Sequence, residues 1–297
     1  MFDKWQIIDI IESKQNNMYI YNVTPIFDNN TSEIIKMNLQ NKKWVMKLII
    51  SNVHNNQVYK DEIENIEKYE LYNNPYFISM PIDSSFRSGM YRSYINGMYN
   101  NKCWYAMEKY DSNLKNSFLF GKNKMKLLIS NIINTIEWLH LTKNRVHGDI
   151  KIDNILVNFN TIEKPFCLID YETIAKPNFE KCIENLPNGY YFYALGCSSD
   201  KSFTSYRMDL EAFGNILWCL TLSIDKYYRF SWQILAFNYY ENNKITSDFD
   251  NLNKLRNNET NIEMNDLVKS YFNIISDVDW CEENPNPDIY KRIKELI

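Results

Sequence analysis

Two short stretches hold the residues able to do chemistry. In "VHGDIKIDNILVN", Val146 to Asn158, a histidine, an aspartate (Asp149), a lysine (Lys151) and an asparagine (Asn154) fall within eight positions, and sixteen positions later Asp170 closes the apolar run "FCLI". A carboxylate can take the hydrogen bond of an incoming hydroxyl, and an ammonium two residues on can meet a transferring phosphate. An amide oxygen and a second carboxylate are ligands of the kind Mg²⁺ prefers. These are the parts that phosphoryl transfer needs. Asp149 and Lys151 are therefore the candidate catalytic pair, and Asn154 with Asp170 the candidate metal ligands.

Such groups work only if regular elements hold them. Upstream of the loop, "NKMKLLISNIINTIEWLHL" places Met125, Leu128, Ile132, Ile136 and Leu139 at steps of three and four, the stripe of an amphipathic helix. Downstream, "FCLID" reads as a strand that delivers Asp170. The amino-terminal part has another texture: "WQIIDII", "MYIYNV", "WVMKLII" and "CWYAM" read as short strands separated by polar, Asn-rich connections. One helix interrupts them, "YKDEIENIEKYELY", in which Ile63, Ile66 and Tyr69 recur at helical spacing. Beyond the loop, "DLEAFGNILWCLTL", "WQILAFNYY" and "NDLVKSYFNII" read as helices. A strand-rich part followed by a helix-rich part predicts an α+β chain of two lobes, divided near Tyr110 to Asn116.

The bulk properties narrow the partners. The chain has 297 residues, 45% hydrophobic and 24% charged, with a formal net charge of -4, so it carries no overall basic footprint and no nucleic-acid partner is expected. Six cysteines, at 103, 167, 182, 197, 219 and 281, lie far apart with no CxxC pair, which reads as buried reduced thiols of an intracellular protein. The start, "MFDKWQIIDIIESK", is too acidic for a signal peptide, and no apolar run is long enough to cross a bilayer. The expectation is a soluble cytoplasmic or nuclear protein with no membrane partner.

"HGDIKIDN" resembles the protein-kinase catalytic loop, of HxDxKxxN form, and "IDYE" stands in the place of the metal-binding DFG motif. The resemblance extends over nearly the whole chain. It implies one protein-kinase-like domain over 1–297: an N-lobe of about 1–108 with an antiparallel sheet plus one helix, a hinge of about 108–114, and a mainly helical C-lobe of about 115–297. "WVMKLI" resembles the strand that carries the nucleotide lysine, here Lys47. Its implied partner on the acidic helix is Glu62, with Glu64 and Glu67 still open. "CWYAMEKYDSNL" resembles the hinge, with Met107 as gatekeeper and Glu108 to Tyr110 offering backbone groups to adenine. "SYRMDLEAFGNILWCL" resembles the helix whose buried aspartate, here Asp209, holds the catalytic-loop backbone.

The nearest texture is that of the casein kinase 1 group, particularly its vaccinia-related branch with viral members. This rests on HGD in place of HRD, the "DY" start of the metal motif, "YDSNL", "RMDLEAFG" and the tail "ENPNPDIYKRIKEL". The resemblance implies ATP and Mg²⁺ as cofactors and a protein substrate with Ser or Thr acceptors, the latter from Lys151. Gly148 replaces the arginine that clamps a phosphorylated activation loop in many kinases, so regulation by that route is not expected. If the kinship is viral, the working compartment is the interior of an infected cell.

Two departures stand against this pattern. The first glycine is Gly89, so "IIESKQNNMYIY" lacks the GxGxxG hairpin whose bare backbone approaches the triphosphate. Glu172 replaces the glycine of DFG and brings a carboxylate near Asp170. Three readings follow: an active Ser/Thr protein kinase, a pseudokinase acting as a binding or scaffold module, and a small-molecule kinase, since "HGD...NILV...LIDYE" also resembles aminoglycoside and choline kinases.

Overall fold

In strands, alternate side chains face opposite sides, and that rule organises the first part of the chain. The computed structural model describes residues 4–14, 18–51, 56–73, 80–81, 83–95, 98–114, 121–159, 165–178, 204–221, 266–279 and 282–297. The chain divides into two units, Met1–Tyr110 and Asp111–Ile297.

In the first unit β1 (Trp5–Lys14), β2 (Met18–Pro25), β3 (Trp44–Ser51), β4 (Ser88–Ile95) and β5 (Met98–Glu108) form one sheet in the order β1-β2-β3-β5-β4, with every neighbouring pair antiparallel. Trp44, Met46 and Leu48 of β3 join Trp5, Val23, Phe86, Trp104 and Ala106 in a single core. Alternation therefore turns Lys47 of β3, and Tyr105 and Met107 of β5, to the other face. The antiparallel register sets Lys47 directly opposite Tyr105 and Val45 opposite Met107.

Helix α2 (Asn56–Lys68) is the one expected, and it buries Glu62 and Ile66. Two further helices are additional to it. The first, α1 (Glu33–Gln40), starts where the Ser32 hydroxyl accepts from the Ile35 amide, and is tied at its other end by Trp44 Nε1 donating to the Leu39 carbonyl at 2.9 Å. Its Ile34 and Met37 are 75% and 69% exposed, so no apolar stripe announced it. The second is the single turn α3 (Ser84–Arg87), begun by Asp83 accepting from the Ser85 amide.

In the second unit α4 (Lys122–Glu137) runs into a π-helical turn, Trp138–Thr142. All five residues of the expected stripe, Met125, Leu128, Ile132, Ile136 and Leu139, lie in the core. A small antiparallel sheet joins β6 (Ser112–Asn113), β7 (Ile155–Val157) and β8 (Phe166–Leu168). Helices α5 (Tyr206–Thr221), α6 (Asp266–Ile275) and α7 (Pro287–Lys294) complete the described residues. Helices α5 and α6 approach so closely that a Cβ on Gly214 would stand 2.8 Å from Phe272 Cζ, which only glycine avoids. The expected helix "WQILAFNYY" lies outside the described residues, as do Cys182, Cys197 and Cys281. Cys103 and Cys167 are buried thiols, and burial pushes the Cys219 thiol up to about 12. No helix among the described residues is long and apolar enough to cross a membrane.

Candidate active site

In the first unit the face away from the tryptophan core collects Lys47, Tyr105 and Glu62. Lys47 Nζ lies 2.8 Å from Glu62 Oε2, with the lysine side chain 13% exposed and the glutamate fully buried. Tyr105 Oη donates to the other carboxylate oxygen, Oε1, at 3.0 Å. The two acids left open by the sequence go elsewhere. Glu64 is exposed. Glu67 pairs with Arg87 at 2.9 Å, and the Arg87 guanidinium stacks 3.4 Å from the Tyr72 ring centroid. Met107 is buried opposite Val45. Strand β5 ends at Glu108, whose carboxylate pairs with Lys42 at 2.8 Å, and the Lys109 amide donates to the Lys43 carbonyl at 2.7 Å. These bonds set the backbone path from Glu108 to the half-buried Tyr110.

In the second unit the loop after α4 hangs on one buried acid. Asp209, in the first turn of α5, accepts from the His147 amide at 2.6 Å and the Gly148 amide at 3.0 Å. Its Oδ2 also lies 3.0 Å from His140 Nε2, and His140 Nδ1 lies 2.6 Å from the Tyr290 hydroxyl on α7. Gly148 has φ 78, a conformation that glycine adopts without steric cost. Glycine at this position thus serves the shape of the loop.

Asp149 follows. Its amide donates to His147 Nδ1 at 3.3 Å, while His147 Nε2 faces the Ile169 carbonyl at 3.2 Å, so the ring carries its proton on Nε2. Burial disfavours the charged form of His147 and lowers its pKa, against the opposing pull of Asp209, Asp149 and Asp170. Lys151 Nζ and Asn154 Nδ2 both donate to Asp149 Oδ2, at 2.5 and 2.9 Å, and Asn154 Nδ2 also reaches the Asp149 carbonyl at 3.0 Å. Asp149 Oδ1 is buried and has no hydrogen-bond partner among the described residues. Desolvation raises the Asp149 pKa against the opposing pull of Lys151.

Asp170 stands two residues past the end of β8, rather than on its last residue, in the left-handed region at φ 75, ψ 71. The residue before it is tethered twice: the Ile169 amide donates to the Asn154 carbonyl at 2.9 Å, and its carbonyl meets His147. Aspartate tolerates this conformation better than most residues, and backbone strain held in place by such tethers is a recurring feature of functional sites. Glu172 is half-buried in the 3₁₀ turn Tyr171–Thr173, and Thr173 Oγ1 donates to the His147 carbonyl at 2.7 Å.

The donors suit a hard divalent cation. Asn154 spends its amide hydrogens on Asp149, which leaves its Oδ1 as an oxygen ligand, and Asp170 adds a carboxylate. Among the described residues no three His, Cys, Asp or Glu side chains form a metal-holding group. Mg²⁺ is usually held by one or two protein oxygens with phosphate and water completing its shell.

Sequence reasoning missed His140, Tyr290 and Tyr105. His140 lies four residues after Ile136 on the buried face of its helix, so its burial was legible, but its partner is 150 positions away. Tyr105 required the β3–β5 register.

No family model matches the sequence, and no curated protein matches it. The chain is similar in structure to a solved protein described as vaccinia related kinase 3, with a TM-score of 0.55 at 12% sequence identity, over 98% of this chain and 86% of that one. At that identity the likeness shows the fold alone, which is protein-kinase-like.

Proposed function

We propose that this chain, on its protein-kinase-like fold, is an ATP-dependent serine/threonine protein kinase of the casein kinase 1 group, nearest the vaccinia-related branch and of viral type. The observation that carries the reading is Asp149. Lys151 and Asn154 hold one of its oxygens, and the other is buried with no partner among the described residues, an acceptor placed for a donor that arrives from outside.

In this reading residues 1–297 act as one domain. Lys47, paired with Glu62, binds the α and β phosphates, and Met107 with the backbone of Glu108 to Tyr110 receives adenine. Asn154 and Asp170 hold Mg²⁺, which when bound neutralises phosphate charge. Asp149 takes the hydrogen bond of the acceptor hydroxyl at Oδ1 and orients it. Lys151 keeps Oδ2 occupied and offsets charge on the transferred group. The acceptor is a protein Ser or Thr hydroxyl, neither nucleic acid nor membrane is a partner, and the work is done inside the cell, in an infected host if the chain is viral.

A pseudokinase reading draws on one observation, the absence of glycine before Gly89, so that the β1–β2 hairpin lacks the bare backbone that covers phosphates. Thermal shift separates the two. A ligand at about 100 times its dissociation constant stabilises by about 2.7 kcal/mol, which moves a melting midpoint by several degrees. The kinase reading expects a Mg²⁺-dependent shift with ATP, lost in Asp170→Asn, together with phosphate incorporation into casein or into the chain itself. No shift at millimolar Mg-ATP supports the pseudokinase. A shift without transfer to protein directs the search to small hydroxyl compounds.

A further inference from the structure

We infer that Tyr105 is a positioning residue of the nucleotide site: its phenol holds one oxygen of the buried Glu62 carboxylate and so directs the other at Lys47. The inference rests on reading Lys47 as the nucleotide lysine and adds to it the residue that sets its partner.

Glu62 is fully buried on α2, and a carboxylate taken out of water is costly unless both oxygens are satisfied. Lys47 meets Oε2 and the Tyr105 hydroxyl meets Oε1, so the two donors are divided between the two oxygens. The division follows from the sheet. Lys47 and Tyr105 are register partners on adjacent antiparallel strands and share the face that α2 covers with Glu62. The Lys47 ammonium also lies 5.6 Å from the Tyr105 ring centroid, so the same side chain flanks both members of the pair. A phenol is a stiff lever with few rotatable bonds, so its hydrogen bond fixes a direction as well as a distance. When Lys47 turns toward a phosphate, Glu62 keeps its bond to Tyr105, and α2 stays docked.

Tyr105→Phe keeps the ring and deletes the bond. The control is Tyr271→Phe, which removes an equally buried hydroxyl, bonded to the Leu210 carbonyl in the second unit. Lys47 is read in the nucleotide-free protein by acylation with a limiting amine reagent and mass spectrometry, and nucleotide affinity by Mg-ATP titration in wild type and in Lys47→Met. Tyr105→Phe should acylate Lys47 several-fold faster and weaken Mg-ATP by roughly two- to tenfold, with no further loss in the Lys47→Met background. Tyr271→Phe should change neither readout.

Unchanged acylation of Lys47 in Tyr105→Phe overturns the inference, as does an equal loss of affinity with and without Lys47. If wild type binds no Mg-ATP while Tyr105→Phe still exposes Lys47, the positioning role stands and the nucleotide reading fails. If Lys47→Met abolishes binding while Tyr105→Phe alters nothing, the nucleotide reading stands and the positioning role fails.

Discussion

Glu62 and Asp149 are both buried acids with a lysine within hydrogen-bonding distance, one in each unit, and they end in opposite states. Glu62 divides its donors, Lys47 on one oxygen and Tyr105 on the other. Asp149 crowds Lys151 and Asn154 onto Oδ2 and leaves Oδ1 buried with no partner among the described residues. The lysine is common to both, so what separates them is how donors are shared between the oxygens. A carboxylate closed on both sides is a fixed point of the fold. One with a buried open oxygen is held at a cost, and the cost is visible in the raised pKa of Asp149. In the proposed function that cost is sustained because the acceptor hydroxyl supplies the missing donor.

The largest expected effect tests the open side. Asp149→Asn should lower phosphate transfer by about 10²–10⁴-fold, the usual contribution of a positioned acid–base group, while Mg-ATP binding is retained. Its melting midpoint should not fall, because an amide fills the same space without a buried charge. Incorporation of labelled phosphate and a thermal melt read the two halves of this prediction, and a large loss of stability would mean that Asp149 is a closed acid after all. The next effect comes from a third buried carboxylate, Asp209, closed on two loop amides and His140. Asp209→Ala strands those donors in the interior and should destabilise the chain by about 3–5 kcal/mol, seen as a lower denaturant midpoint.

The contrast was partly legible in the sequence. The grouping on the Asp149 side was, because Asp149, Lys151 and Asn154 fall in one stretch at a set spacing, although which oxygen Lys151 and Asn154 share was not. The strand alternation of Trp44, Met46 and Leu48 also turns Lys47 to a defined face. The division of donors was not legible, because it depends on which residue of β5 stands opposite Lys47 and on the rotation of α2, and neither is local. Helix α1 was missed for another reason: with Ile34 and Met37 exposed, it buries too narrow a stripe to show a period. Strand β4 left a usable sign, since Ile95 pairs with Met98 across Asn96-Gly97, a dipeptide favoured in two-residue hairpins.

Glu62→Gln tests the closed side with a smaller change. The amide retains one acceptor and loses the charge opposite Lys47, so a buried bond from Lys47 or Tyr105 is lost. A loss of about 1–3 kcal/mol is expected, less than for Asp209→Ala because the side chain still fills its site. Compared directly, Glu62→Gln should lower the melting midpoint where Asp149→Asn does not. Equal behaviour of the two amides would erase the distinction between an acid that holds the fold and an acid that waits for a donor.

The smallest effect is a slope rather than a step. Desolvation raises the folded-state pKa of Asp149 above the ordinary 3.8, so in the window from 3.8 up to that raised value the folded chain binds a proton that the unfolded chain has released. Stability is therefore favoured by protonation at the bottom of the window and is lost as pH rises through it. Above the window the penalty is constant, and below 3.8 both states are protonated and it vanishes. Asp149→Asn has no such penalty, so its stability advantage over wild type should be largest near neutral pH and shrink toward about pH 4. Subtracting the two melting curves removes most of the contribution of other titrating groups, leaving those coupled to the Asp149 charge, namely Lys151, His147 and Asp170. A difference that widened on acidification would mean that Asp149 is stabilised as an anion. Its second oxygen would then have found a donor within the chain, and Asp149 would stand with Glu62 among the closed acids.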